Sequence, residues 1–147
     1  MDMGLKLDLE YLGLRDEKPV FRLAFYSSSE RLLLPYPEVT GLQFMDESGE
    51  LLDQWRAGYL VIAPGDEFVL REGDRIAFDL TVPLDSQPTS EQIWTLKLPP
   101  GRLRVRYVYE VNADKERYDF LAKRSRFAAI TKFWGGRVES PSIDFER

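Results

Sequence analysis

The sequence predicts an all-β protein: one antiparallel β-sandwich of immunoglobulin-like topology, with about seven to nine strands, filling residues 1–147 as a single domain. Three observations point there. Apolar and polar residues alternate with a period of two in run after run. Clusters of Gly, Pro, Ser and acids cut those runs at the spacing of a sandwich. The composition, 44% apolar and 31% charged, is that of a chain with a core to bury and a wet surface to present.

In chain order, LKLDLEY places Leu5, Leu7, Leu9 and Tyr11 on one side and Lys6, Asp8 and Glu10 on the other. Strand residues of one parity share a face, so the run reads as a half-buried strand. VFRLAFY aligns Phe21, Leu23 and Phe25, and VTGLQFMD aligns Leu42 and Phe44 more weakly. RIAFDLTV aligns Ile76, Phe78, Leu80 and Val82, and WTLKL aligns Trp94, Leu96 and Leu98. GRLRVRYVYEV is the clearest. Leu103, Val105, Tyr107, Tyr109 and Val111 take one parity; Arg102, Arg104, Arg106 and Glu110 take the other, with Val108 the only apolar intruder. RVESPSIDF follows with Ile143 and Phe145. Between the runs, RDEKP, SSSE, DESGE, APGDE, REGD, DSQPTS and LPPG are turn material. The expected core takes Phe21, Leu23, Phe25, Leu42, Phe44, Ile76, Phe78, Leu80, Trp94, Leu96, Val105, Tyr107 and Tyr109.

Residues 113–134, ADKERYDFLAKRSRFAAITKFW, have no sustained alternation. Asp114 is placed to cap a short helix near 114–124 carrying Tyr118, Leu121 and Ala122. The alternative is a long excursion between the last two strands.

The chain has no cysteine and no histidine. That removes disulfide frameworks, Cys/His zinc sites, Ser-His-Asp triads, Cys-His dyads and histidine general bases. The S-x-x-K motif and the glycine motifs of phosphate and dinucleotide binding are absent too. Glycosidase chemistry needs only Asp and Glu, but spacing selects no pair among 25 acids. The net charge of −5 offers no general attraction to nucleic acid or to a membrane. No apolar run approaches the roughly 18 residues that span a bilayer. The first residues mix charges into their apolar positions, unlike a signal peptide. The expectation is a cytoplasmic protein without enzyme activity, cofactor or bound metal.

The order of landmarks resembles the bacterial intracellular proteinase inhibitor (BsuPI-type) family. LAFYSSSERLLL corresponds to a strand, a short Asn/Ser turn and an apolar strand. Asp46 and Gly49 in DESGELLDQW stand for its D-x-x-G hairpin, with Trp55 after it. LREGDRIAF stands for its L-x-P-G-[DE] turn, with Glu72 where proline is usual. GRLRV stands for its G-x-Y-x-V strand, with Leu103 where tyrosine is usual, which removes a corner hydrogen bond of the kind sandwiches use. The ending WGGRVESPSIDF is similar to the W-x-G-x-V-x-S close of many bacterial sandwich modules. The resemblance covers roughly Val20 to Val111 and implies an immunoglobulin-like sandwich that inhibits an intracellular serine proteinase. No reactive loop maps onto this chain, so it transfers no inhibitory residue.

Two groups of residues are candidate binding sites. Arg102, Arg104 and Arg106 would stand about 6.5–7 Å apart along roughly 13 Å of strand. That spacing suits successive carboxylates or phosphates, which arginine forks grip well. The other reading is a solvated face whose arginines pair across strands with acids such as Glu10 and Glu110. Arg22 and Lys97 join this face if their strands are neighbours. Charge is also uneven. Residues 102–137 hold ten Lys/Arg and four Asp/Glu; residues 1–101 hold nine and eighteen; the last ten hold one and three. The basic third is a candidate dock for an acidic protein partner, unless folding interleaves the two signs.

The second group is aromatic. In LLLPYPEVTG, Pro35 and Pro37 stiffen the chain around Tyr36. With Trp55 and Tyr59 it could form a sugar-stacking platform; alternatively Tyr36 packs inward at a corner. The acidic runs MDESGELLD and PGDE lack calcium-loop spacing and read as solvated turns. The leading functional expectation is a non-enzymatic protein-interaction module. Proteinase inhibition and carbohydrate binding are the alternatives. An exposed edge strand could also join two copies, though the sequence does not mark the edges.

Overall fold

The computed structural model describes residues 4–28, 30–52, 55–57, 67–84, 94–111 and 132–146. In chain order the elements are β1 (Leu5–Arg15), β2 (Lys18–Ser27), β3 (Leu32–Pro35), a 3-10 turn (Val39–Gly41), β4 (Leu42–Met45), β5 (Arg56–Ala57), β6 (Glu67–Leu70), β7 (Arg75–Thr81), β8 (Trp94–Thr95), β9 (Arg102–Val111), β10 (Lys132–Phe133), β11 (Gly136–Glu139) and β12 (Ile143–Glu146). Nine of these strands have four residues or more; β5, β8 and β10 have two each. The protein is all-β, and its sheets are antiparallel apart from the short parallel pair of β10 with β3. Among the described residues, no helix is long and apolar enough to cross a membrane.

The first sheet runs β1–β2–β7. Its hairpin closes through Asp16 and Glu17, both left-handed, with φ of 52° and 65°. This mirror-image turn matches the natural twist of the strands it joins. The β1–β2 register slips between Tyr11 and Gly13, where Gly13 supplies a φ of 100°. That is a β-bulge, which bends the outer end of β1.

The second sheet is organised around β9. Strand β4 lies along one side, with Leu42 opposite Tyr107 and Met45 opposite Arg104. Strands β11 and β12 follow each other along the other side, opposite residues 108–111 and 102–105. Ser140 makes the step between them. Its N–H donates to the Tyr107 carbonyl at 2.9 Å, and its Oγ accepts the Tyr107 N–H at 2.8 Å. The side chain thus replaces a ladder hydrogen bond where Pro141 ends β11's course.

The two sheets face each other through aromatic rings. Phe21 of β2 meets Phe44 of β4 at 5.8 Å and Phe145 of β12 at 5.5 Å; Phe25 of β2 meets Tyr109 of β9 at 4.9 Å. Such edge-to-face pairs add roughly 0.5–1.5 kcal/mol each to area burial. Leu5, Leu7, Leu9, Leu23, Leu103 and Val105 fill the space around them, on the parity that alternation assigns. A third, short sheet runs β10–β3–β6. All four side chains of β3 are buried, which explains its unbroken apolar run.

Ile76 and Phe78 depart from the expected core: they are half-buried, on a strand whose outer flank pairs with no strand among the described residues. Trp94 contributes backbone to β8. The helix anticipated near 114–124 lies outside the described residues.

Position 103 makes no tyrosine tie, but two neighbours on β9 make ties of their own. The Tyr107 hydroxyl donates to the Glu38 carbonyl at 2.6 Å, and the Tyr109 hydroxyl to the Pro35 carbonyl at 2.5 Å. Leu103 itself is buried in the core. Two tyrosines of β9 pin both ends of the Pro-Tyr-Pro segment.

Candidate functional site

The outer face of β9 divides into two halves. The upper half is a closed polar network. Arg106 donates through Nε to Gln43 Oε1 at 3.0 Å and through Nη1 to Glu139 Oε2 at 3.4 Å. Glu139 also holds Arg137 at 2.7 Å, and Arg137 reaches Glu110 at 3.5 Å. The chain of contacts crosses β4, β9 and β11. Each pair is partly exposed, so each is worth little singly, but together they fix the Arg106 side chain.

The lower half is open. Arg102 and Arg104 are exposed. Among the described residues neither side chain makes a hydrogen bond or an ion pair. They line an open cleft of about 580 Å3 together with Glu47, Asp144 and Glu146, and with Leu103 and Phe145. Asp144 stands opposite Arg104 and Glu146 opposite Arg102 in the β9–β12 register. The acidic last residues are therefore laid beside the basic strand, and the two signs interleave on this surface. Its field is that of a mixed patch rather than of a positive stripe.

The other basic residues named from sequence do not join this face. Arg22 lies on β2, in the opposite sheet, and pairs with Asp79 at 2.9 Å. That hydrogen bond raises the guanidinium pKa further and holds the Asp79 carboxyl below the usual aspartate range. Lys97 lies beyond β8, outside any strand. The acids that pair with the stripe also differ from those anticipated. Glu139 meets Arg106, while Glu110 is taken by Arg137, and Glu10 lies on β1 opposite Arg22.

The aromatic candidates are placed apart. Tyr36 is 47% exposed, and its ring leans on Phe68 at 5.7 Å and Phe78 at 5.4 Å, at the open flank of β7. Trp55 is half-buried against the core, and its indole N–H donates to the Leu42 carbonyl at 3.1 Å. No ring contact joins Tyr36 to Trp55 among the described residues. Tyr59 lies outside them.

Sequence reasoning missed Gln43, Glu47, Asp144 and Glu146. The signal for the last two was present. In IDFE the acids alternate with Ile143 and Phe145 just as the arginines alternate with Leu103. Only the strand pairing reveals that the two rows meet.

No protein-family model, curated protein or solved structure matches this chain.

Proposed function

We infer that the protein is a non-enzymatic protein-interaction module of the cytoplasm, built on a sandwich of immunoglobulin-like topology and docking through the open half of β9. One observation carries this reading. Arg102 and Arg104 are exposed without a partner among the described residues, while Arg22, Arg71, Arg106 and Arg137 each hold an acid. Arginine left over on a cleft wall is available to a partner's carboxylates. The acids lining the cleft ask for a cation beside them. The reading is thus a partner with both charges on its contacting surface, rather than a uniformly acidic one.

The test compares Arg102→Glu with Arg104→Glu, made together, against Arg15→Glu with Arg71→Glu. Crosslinking in cell extract at low and high salt is the readout. The expected result is a partner retained by wild type and by the second variant and lost with the first, most clearly at low salt. Retention indifferent to Arg102 and Arg104, or no retention at either ionic strength, removes the reading.

A second reading, inhibition of an intracellular serine proteinase, is favoured by the Asp46 hairpin. Asp46 Oδ1 accepts the N–H groups of Ser48 at 2.9 Å and Glu50 at 3.0 Å, and Gly49 turns at a φ of 91°. This is the D-x-x-G turn on which the resemblance partly rests. A proteinase panel left unaffected by the purified protein removes it.

A further inference from the structure

Sheet edges carry unpaired backbone groups and so invite another strand. In the β1–β2–β7 sheet the edges are β1 and β7. The bulge before Gly13 interrupts β1. Strand β7 has no such guard. It runs seven residues without a register break, a proline, a lysine or a glycine. Among the described residues nothing pairs with its outer flank.

The ladder shows which groups point outward. The Val82 N–H donates to the Pro19 carbonyl at 2.9 Å. Antiparallel residues alternate between bonded and unbonded pairs. Leu80, Phe78 and Ile76 therefore turn their backbone groups toward β2, while Arg75, Ala77, Asp79 and Thr81 turn theirs to the open side. The far side of β2 agrees: Ser28 N–H donates to the Gly4 carbonyl at 2.9 Å, which assigns residues 22, 24 and 26 to β1 and leaves 21, 23 and 25 for β7.

We propose that two copies of the chain join edge to edge through β7, antiparallel about a two-fold axis at Ala77. In that register Arg75 of each copy faces Asp79 of the other, and Ile76 faces Phe78. The hydrogen-bonding groups of Arg75, Ala77 and Asp79 meet in bonded pairs, as the ladder requires. Charge selects the register. Centring on Arg75 or Asp79 puts like charges opposite each other. Centring on Ile76 or Phe78 sets both charges against neutral residues. Only Ala77 matches opposite signs twice, the self-complementarity that a two-fold interface demands.

Both charged groups have capacity to spare. Arg75 uses Nε on the Tyr26 hydroxyl at 2.9 Å, leaving its two terminal nitrogens. Asp79 receives one bond from Arg22 on each oxygen, at 2.9 and 3.3 Å, and each oxygen has a further lone pair. Tyr36, beside Phe78, adds apolar area along the seam. The product is a continuous six-stranded sheet, in which the half-burial of Ile76 and Phe78 becomes full.

Light scattering on a sizing column, over a range of protein concentrations, tests this with three proteins and one mixture. Wild type is expected to dimerise. Arg75→Asp and Asp79→Arg each set like charges opposite each other, and each is expected to weaken the dimer roughly tenfold or more. Equimolar mixing of the two variants restores opposite charges at both positions, and a heterodimer is expected to return. Circular dichroism of each variant confirms that the fold is kept. A wild type monomeric at every concentration overturns the proposal. So does a dimer that ignores both substitutions, or a mixture that fails to re-associate.

Discussion

Tyr107 lies so close to the backbone of Gly41 that a β-carbon there would stand 2.6 Å from its phenol oxygen. The ring cannot retreat: it is buried, and its hydroxyl is held by the Glu38 carbonyl. Gly41→Ala is therefore expected to destabilise the protein by about 1–3 kcal/mol, the cost of overpacking a filled site. Tyr107→Phe, which keeps the ring and loses the tie, is expected to cost about 1 kcal/mol. Urea unfolding of both variants checks the order.

At the step between β11 and β12, the Ser140 hydroxyl accepts the Tyr107 N–H of β9. Ser140→Ala leaves the Tyr107 N–H buried without its acceptor. The expected loss is about 1–3 kcal/mol, the desolvation cost of an orphaned donor. Hydrogen exchange is the sharper measurement. The Tyr107 amide is expected to exchange much faster in the variant, while the amides of β2 change only with global stability.

The β1–β2 turn offers a gain instead. Asp16 and Glu17 both occupy the left-handed region that side chains resist. Glu17→Gly keeps the turn and relieves that strain, as in the Asp-Gly hairpins that favour this geometry. A stabilisation of about 1 kcal/mol is expected, raising Tm by about 2–4 °C in a chain of this size. Calorimetry would show no rise if the turn were not mirror-image.

Acid should weaken the fold through Asp46 and Asp79. Both carboxyls titrate below the usual aspartate range: Asp46 chiefly through the Ser48 hydroxyl and then the Glu50 N–H, Asp79 chiefly through the Arg22 hydrogen bond. A lowered folded pKa means that the unfolded chain binds protons first as pH falls. The stabilisation is thus present above the unfolded pKa and is lost as pH drops through the folded one. Both groups are well hydrated, so each contribution is small. Urea midpoints followed from neutral pH into acid should fall at the acid end, and Asp46→Asn or Asp79→Asn should each flatten part of that limb.

Much of this architecture was legible because alternation is a local record of burial. Leu5, Leu7 and Leu9 in β1, Phe21, Leu23 and Phe25 in β2, and Val105, Tyr107 and Tyr109 in β9 all point inward as their parity says. Alternation fell silent where a strand is covered on both faces, as β3 is, or reduced to two residues, as β10 is. It is also blind to pairing. Ile76 and Phe78 have the same parity pattern as core residues, yet they are half-buried, on a strand whose outer flank pairs with no strand among the described residues. The arginine row was visible, but its partners come from β4, β11 and β12. Those strands are brought beside β9 by contacts that no local pattern encodes.

Trp134 supplies the last prediction. It is buried and stacked on Tyr109, with ring centroids 5.7 Å apart at 30°. Its indole N–H has no acceptor among the described residues. Trp134→Phe removes that orphaned donor, whose burial costs about 1–3 kcal/mol, and also removes packing of comparable worth. The two effects oppose each other, so a net change below about 1 kcal/mol is expected, against about 3–5 kcal/mol for Trp134→Ala. Tyr109→Phe makes the contrast: it deletes only a hydroxyl, but one that donates to Pro35 at 2.5 Å in a buried site. It is expected to cost about 1 kcal/mol or more. Chemical denaturation should therefore rank Tyr109→Phe as more harmful than Trp134→Phe. The reverse order would mean that the indole N–H is satisfied after all, and that its hydrogen bond outweighs the tyrosine's.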